Sequence, residues 1–283
     1  MDSSWQRKAK DTFAGFVGGA VQVLVGQPFD LVKVRMQTGQ YKTIAETVTQ
    51  TLAKEGPAAF YKGTTAPLFG VGACVSIQFY TFHETKRQIA NYTKADLTPS
   101  QFYLAGATAG VANSVVTTPI EHVRILMQTQ KDSTFKGPFD AARKVSAQYG
   151  WRAVYRGFSV TTLREIQAYG TWFMTFEYLI STQTRQGIKR DDIPTWKLMS
   201  FGALAGEALW LASYPLDVVK SQFQGDKFGP AARYKGAIDA ARQTWKTLGF
   251  RGFWVGLVPT LLRALPASAC TFASVELTLR FLG

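Results

Sequence analysis

The chain has 283 residues, 46% of them hydrophobic and 18% charged, which is richer in apolar side chains than a soluble surface of that size needs, and its mean hydropathy of −0.03 hides sharply segregated runs. Its 32 Lys and Arg against 19 Asp and Glu leave a formal charge of +13, which suits nucleic acid or the anionic groups at a membrane and alone chooses neither. Two cysteines are too few for a disulfide framework, and the two histidines have neither paired cysteines nor metal spacing.

In chain order, the first eleven residues, "MDSSWQRKAKD", are polar-rich and lack a charged-then-apolar-then-small cleavage pattern, so targeting information is expected in the mature chain. Residues 12–29 carry no charge, and the run ends in "VGQPFDLVKVRMQ", where Pro28, Asp30, Lys33 and Arg35 interrupt it. After a polar stretch, "EGPAAFYKG" closes at Gly63 and a second uncharged run covers 63–82. The pattern then restarts. Residues 97–120 are uncharged and lead into "TPIEHVRILMQ" with Pro119, Glu121, Arg124 and Gln128; "FDAARKV" and "YGWRAVYRG" follow, the latter ending at Gly157. A third pass gives "YPLDVVKSQFQ" with Pro215, Asp217, Lys220 and Gln224, then "IDAARQT" and "LGFRGFWVG" to Gly256.

Self-similarity at a period of 91 to 96 residues makes the chain three copies of one unit, a long helix, a short amphipathic helix and a long helix. The repeats are expected over 1–96, 97–191 and 192–283, assembled as one integral domain. The long segments approach the roughly 20 residues that cross a hydrocarbon core. The glycine pairs Gly15/Gly19, Gly106/Gly110 and Gly202/Gly206 recur at the same place in the odd-numbered long helices, a spacing that allows close backbone approach. Cys74 and Cys270 fall inside apolar runs and are expected to be small buried thiols.

A charge at the centre of a membrane helix costs about 2.5–3.5 kcal/mol, so six facing lipid would cost on the order of 15–20 kcal/mol. They are therefore expected to face a shared interior. Pseudo-threefold symmetry puts each acid beside a neighbour's base, giving Asp30 with Arg124, Glu121 with Lys220 and Asp217 with Lys33. Pro28, Pro119 and Pro215 each remove a backbone hydrogen bond and are expected to kink the helix so that the pairs meet.

The thrice-repeated Pro-x-acid-x-x-base signature, each followed by an aromatic-basic-Gly motif, resembles the mitochondrial carrier family over essentially the whole chain. The resemblance implies an all-α membrane protein with six transmembrane helices, three short matrix helices, a central substrate site and two salt-bridge networks that open alternately. It also implies a multi-pass place in the mitochondrial inner membrane, a monomeric state and possible bound cardiolipin. Departures are visible. Val255 replaces the usual base before Gly256, and the acid seen as Glu55 becomes Tyr149 and Leu248 in the other repeats. The family's bracing glutamine is assigned to Gln222, seven residues past Pro215, with Arg35 and Leu126 at the equivalent places. Twenty residues past the motif glycines stand His83, Glu177 and Glu276, where the family places its cytoplasmic acids, and three further on stand Lys86, Ile180 and Leu279. Lys86 with an acidic neighbour is the expected cytoplasmic pair, and this thin network is expected to open more readily than the matrix one.

A small asymmetric solute is gripped by residues that differ between repeats. Seven residues past the motif glycines are Gly70, Arg164 and Arg263, followed by Val71, Glu165 and Ala264, the family's contact positions. The Arg164-Glu165 pair resembles the amino-acid branch that includes ornithine and carnitine carriers. An arginine fork matches a carboxylate, and Glu165 is assigned an ammonium. Trp210 stands where the other repeats have Val23 and Ser114, and is expected to cover a ligand. Glu207, one turn away, is an intramembrane acid and a candidate proton carrier if burial raises its pKa. Ornithine-type carriers have an acid where Cys74 stands, and carnitine carriers a histidine where Gln27 stands. A glutamate-like or neutral zwitterionic amino acid is favoured, moved by exchange or with a proton; a carnitine-like or basic substrate and a passive anion or proton pore are the alternatives.

No reactive constellation or glycine-rich phosphate loop marks an enzyme, no metal ion or organic cofactor is called for, and basic residues that flank apolar spans argue against nucleic acid.

Overall fold

The computed structural model describes residues 4–94, 97–130 and 134–282. Among these residues it forms nine α-helices: α1 (Ser4–Gln37), α2 (Ile44–Glu55), α3 (Thr65–Thr93), α4 (Pro99–Thr129), α5 (Pro138–Tyr149), α6 (Phe158–Thr184), α7 (Thr195–Gln224), α8 (Ala237–Leu248) and α9 (Leu257–Leu282). Long, short and long helices recur three times. The six long ones run 26 to 34 residues, enough to cross a bilayer. By apolarity and length alone, Phe13–Gln37 and Ala237–Val275 qualify as spans among the described residues, with a third if Pro57–Leu68 and Gly72–Thr93, which meet at 47°, form one. The helices α4, α6 and α7 bury Asn113, Thr118, Arg164, Glu165, Asp217 and Lys220 and so read as less apolar than their outer faces are.

Each short helix buries its fourth and eighth residues: Thr47 and Thr51 in α2, Ala141 and Val145 in α5, Ala240 and Thr244 in α8. A 3-10 turn then leads to Gly63, Gly157 or Gly256, whose φ values of 82°, 79° and 82° lie in the left-handed region that favours glycine. These glycines also sit tightly on the next odd-numbered helix: a methyl on Gly63 would lie 3.1 Å from the Arg124 carbonyl, and one on Gly256 3.2 Å from that of Lys33. The aromatic-basic-Gly motif is thus the joint between repeats.

Around the ring, α9 packs on α1, α3 on α4, α4 on α6, and α6 on α7, while α1 touches α3 lightly. Stacked Phe82 and Phe173, with ring centroids 3.6 Å apart, join α3 to α6 over Ala105 and Ala109 of α4. The expectation of three close glycine contacts is corrected to one among the described positions. Methyl groups on Gly106 and Gly110 would lie 2.5 and 2.6 Å from the carbonyl oxygens of Tyr169 and Glu165, whereas Gly15, Gly202 and Gly206 face open space. The odd helices of the outer repeats pack on neighbouring repeats, leaving their glycine faces uncovered. Pro28, Pro119 and Pro215 lie inside continuous helices, as does Pro266 in α9. Cys74 is half-buried and Cys270 exposed, a correction to the expected pair of buried thiols that follows from Cys270 standing on the outward side of α9.

Candidate functional site

At the end of the bundle that carries the short helices, six charges close a ring. Arg124 donates to Asp30 at 2.7 Å, Lys220 to Glu121 at 2.9 Å, and Lys33 pairs with Asp217 at 2.7 Å. Each pair links two different repeats, as pseudo-threefold symmetry requires. Lys33, Asp217 and Lys220 are buried, and such pairs hold only while every member keeps its partner.

Supporting side chains complete the ring. Arg124 also donates to Gln27 Oε1 at 2.6 Å, and Gln27 Nε2 donates to the Lys62 carbonyl. Gln37 Nε2 donates to Asp217 at 3.2 Å and to the Tyr214 hydroxyl at 3.3 Å. Gln222 does not brace an ion pair; its Oε1 accepts from Thr244 of α8 at 2.6 Å. The helix turn explains this correction. The residue seven past the proline points at the short helix of its own repeat, which is where Arg35 finds Thr51 at 2.9 Å and a bidentate Glu55 at 2.6 and 2.9 Å. Nine past the proline points across the repeats, and glutamine stands there three times, at Gln37, Gln128 and Gln224, all buried. That recurrence was the signal in the sequence.

Glu55 also accepts from Lys62 at 2.6 Å. Burial alone would raise its carboxyl, but the hydrogen bonds from Arg35 and Lys62 hold it below the ordinary carboxylate range. In repeat 2, where Tyr149 replaces that acid, Arg156 turns to repeat 3. Its guanidinium donates to the carbonyls of Asp226 and Lys227, both at 3.0 Å, pairs with the Asp226 carboxylate at 3.5 Å, and lies against Phe223 and Phe228. Tyr149 stacks on Phe228 at 4.6 Å. Asp226 in turn accepts from the backbone N–H groups of Arg233 and Tyr234, which fixes the loop that carries it.

At the ring lies a cavity of about 170 Å³ lined by the six ring residues together with Arg164, Arg263, Trp210, Gln128, Val34, Ile125 and Ser221. Five cationic side chains and three carboxylates face it, a surplus of two positive charges. Its size is below the roughly 300–1,000 Å³ of a drug-sized site and suits a small solute. Arg263 crosses Gly26 of α1 and brings Nε to 3.5 Å from Asp30. Arg164 Nη2 donates to Glu121 at 3.0 Å and is also paired with Glu165. Both arginines therefore share a carboxylate with the ring. Trp210 lies between cations, with Lys33 Nζ 4.4 Å and the Arg263 guanidinium 5.6 Å from its ring centroid.

Five expected ligand or gate positions stand outside this lining. Gly70 is buried against Ile120 of α4, where a methyl would meet Cδ1, so it serves the α3–α4 contact. Glu165 is buried beside Arg164, with which it is paired, and stands outside the lining of this cavity. Glu207 is half-buried and stands outside the lining. Lys86 lies over the Phe102 ring at 5.2 Å instead of against an acid, while Glu177 takes a bidentate bond from Arg190 of its own repeat at 2.7 and 2.9 Å. The side chains of Val71, Glu276 and Leu279 lie outside the described residues. Ion pairs between described residues that join different repeats all sit at the ring end. The molecule is thus closed there; toward the other end, Thr108 donates to Thr85 at 3.0 Å.

Six long helices in three repeats around a charged, one-end-closed cavity define a membrane solute carrier. The family model described as "Mitochondrial carrier protein" matches residues 4–93, 95–187 and 191–283, and the chain belongs to that family. It is a multi-pass protein of the mitochondrial inner membrane. It is 46% identical to the "Mitochondrial glycine transporter YMC1" of Saccharomyces cerevisiae, over 98% of this chain and 92% of that one. It is 44% identical to the "Glutamate/glycine mitochondrial carrier ymc1" of Schizosaccharomyces pombe, over 97% and 95%. Identity to the human "Mitochondrial basic amino acids transporter" is 35%, over 96% and 90%. The ring end, with α2, α5 and α8, is the matrix side in this family.

Proposed function

We propose that this carrier moves a small amino acid, glycine or a glutamate-like anion, by alternating access through the central cavity. The observation that carries the reading is the pair Arg164 and Arg263, two guanidinium groups that line the cavity and are each held by a ring carboxylate. A substrate carboxylate arriving from the open end competes with Glu121 and Asp30 for them, through the bidentate geometry that arginine offers. Withdrawing these cations from the ring acids loosens the ring, so binding is tied to matrix opening. Asp30, Lys33, Glu121, Arg124, Asp217 and Lys220 are the matrix gate, with Gln37 in support; Lys86, Glu177 and Glu276 belong to the cytoplasmic end. The surplus of positive charge supports an anionic or zwitterionic solute over a dicationic one, and the half-buried Cys74 supplies no acid for a basic side chain. The printed names of the two yeast relatives point the same way.

The three repeats, 1–96, 97–191 and 192–283, act as one monomeric unit, because the ring pairs exist only between them. Bound cardiolipin is the lipid expected at the basic matrix face. Uptake of labelled glycine and glutamate into liposomes loaded with the same solute is the test. Saturable exchange lost in Arg263→Ala is the expected result. Conductance indifferent to that substitution would mean a pore, and a preference for labelled ornithine or acylcarnitine would replace the substrate class.

A further inference from the structure

We propose that the residues immediately before the first and third helix prolines, Gln27 and Tyr214, are positioning residues that tie the matrix ring to the glycine joints of their own repeats; the inference rests on reading that ring as the matrix gate. Lys62, Arg156 and Val255, the residues before Gly63, Gly157 and Gly256, are extended, with ψ of 129°, 128° and 127°. They interrupt the helical pattern of hydrogen bonds, so their carbonyls take a donor from elsewhere. Gln27 Nε2 donates to the Lys62 carbonyl at 2.7 Å, and the Tyr214 hydroxyl donates to that of Val255 at 3.2 Å. Repeat 2 departs from this. Thr118, its residue before the proline, donates to the Ser114 carbonyl of its own helix at 2.6 Å, and the Arg156 carbonyl takes Gln224 Nε2 from repeat 3 at 3.0 Å.

The other end of each side chain reaches the ring. Gln27 Oε1 accepts at 2.6 Å from Arg124 Nη2, the nitrogen that also donates to Asp30. With its carbonyl and its N–H both engaged, the amide has one orientation, and it holds the Arg124 guanidinium on Asp30. Tyr214 works through one more side chain. Its hydroxyl accepts from Gln37 Nε2 at 3.3 Å, the same nitrogen donates to Asp217 at 3.2 Å, and Lys33 Nζ lies 5.4 Å from the Tyr214 ring centroid. Gln27 and Tyr214 are fully buried, so a hydrogen bond lost at either end strands a polar atom away from water. Loosening the first or third joint therefore frees the ring pair in front of it, and parting that pair loosens the joint. The remaining pair, Lys220 with Glu121, is supported from the cavity side by Arg164, while the joint of repeat 2 is bound to repeat 3.

The test uses the full-length chain in liposomes without substrate, carrying Cys74→Ser, Cys270→Ser and Ser221→Cys, with a membrane-impermeant maleimide applied from the matrix side. Gln27→Leu and Tyr214→Phe should each raise the labelling rate about fivefold, the population change given by one lost buried hydrogen bond, and Thr118→Val should leave it unchanged. Hydrogen exchange of the same proteins reads the joints. Residues 57–68 should exchange faster in Gln27→Leu and residues 249–260 in Tyr214→Phe, with 151–161 unmoved in both. Because Tyr214 acts through Gln37, Tyr214→Phe combined with Gln37→Leu should label no faster than Gln37→Leu alone. If Gln27→Leu does not fold, Tyr214→Phe, which deletes a single oxygen, decides the matter. A lower melting temperature with labelling unmoved, equal loosening of all three joints, or an additive double variant would overturn the proposal and leave two packing residues. Labelling does not need transport: a native chain that moves neither labelled glycine nor glutamate brings down the substrate reading, whereas unmoved labelling brings down this one.

Discussion

Arg35 shows how a single position can change its task. It is almost fully buried and is held by Glu55, Thr51 and the Gln128 carbonyl, so it ties α1 to α2 and α4. Replacing Glu55 by Gln leaves that guanidinium without its counter-charge, and breaking such a buried pair costs about 3 kcal/mol. Glu55→Gln should therefore melt at a lower temperature than the native protein at pH 7. The carboxyl of Glu55 is held below its ordinary range in the folded chain. Its contribution is complete above the unfolded value of about 4.3 and is lost as the pH falls through the lowered folded value. Melting curves of the detergent-solubilised protein should show an acid-side loss of stability that is shallower in Glu55→Gln; an unchanged slope would remove Glu55 from that account. The sequence displayed Arg35 and Glu55 as departures from a repeated pattern. Nothing in their spacing said that they pair, because that depends on which side of α1 faces α2.

Among the elements, the α4–α6 pair differs from its two counterparts. Gly106 and Gly110 bring α4 against the α6 backbone, while the equivalent Gly202 and Gly206 of α7 meet nothing. A methyl at Gly110 has to displace backbone, an overpacking cost of about 1–3 kcal/mol. At Gly202 the same change meets open space and should be neutral or gain up to about 1 kcal/mol from helix propensity. Thermal melts of Gly110→Ala and Gly202→Ala should thus move in different directions, and equal losses would show that both helices are packed alike. The helices themselves were legible from uncharged runs, prolines and motif glycines. The partner of each helix was not, since identical glycine spacing in three repeats gives identical expectations, and the asymmetry comes from how the outer repeats lean on their neighbours. For the same reason Gly70 read as a ligand position although it packs on Ile120.

Across the whole molecule, six charges shut the end that carries the short helices. Lys33 is buried and Lys86 half-exposed. In the unliganded protein a membrane-impermeant amine reagent applied from the cytoplasmic side should label Lys86 faster than Lys33; the reverse order would mean that the resting state is open to the matrix. The ring itself was the most legible part of the site, because symmetry turns three copies of an acid and a base into three cross-repeat pairs. Gln37, Asn113 and Asp226 were not legible, because their partners are contributed by other helices and other repeats.

The salt link from Arg156 to Asp226 follows from a gap, since repeat 2 carries Tyr149 where repeat 1 has Glu55. An arginine without an acid at home has become a stitch between the second and third thirds of the barrel, outside the ring and on its matrix flank. Opening toward the matrix must either undo that stitch or carry both thirds along as one jaw, leaving the first third as the moving one. Restoring an acid with Tyr149→Glu would draw the arginine back and give the jaw a second joint, seen as faster matrix-side modification of a cysteine placed at Ser221.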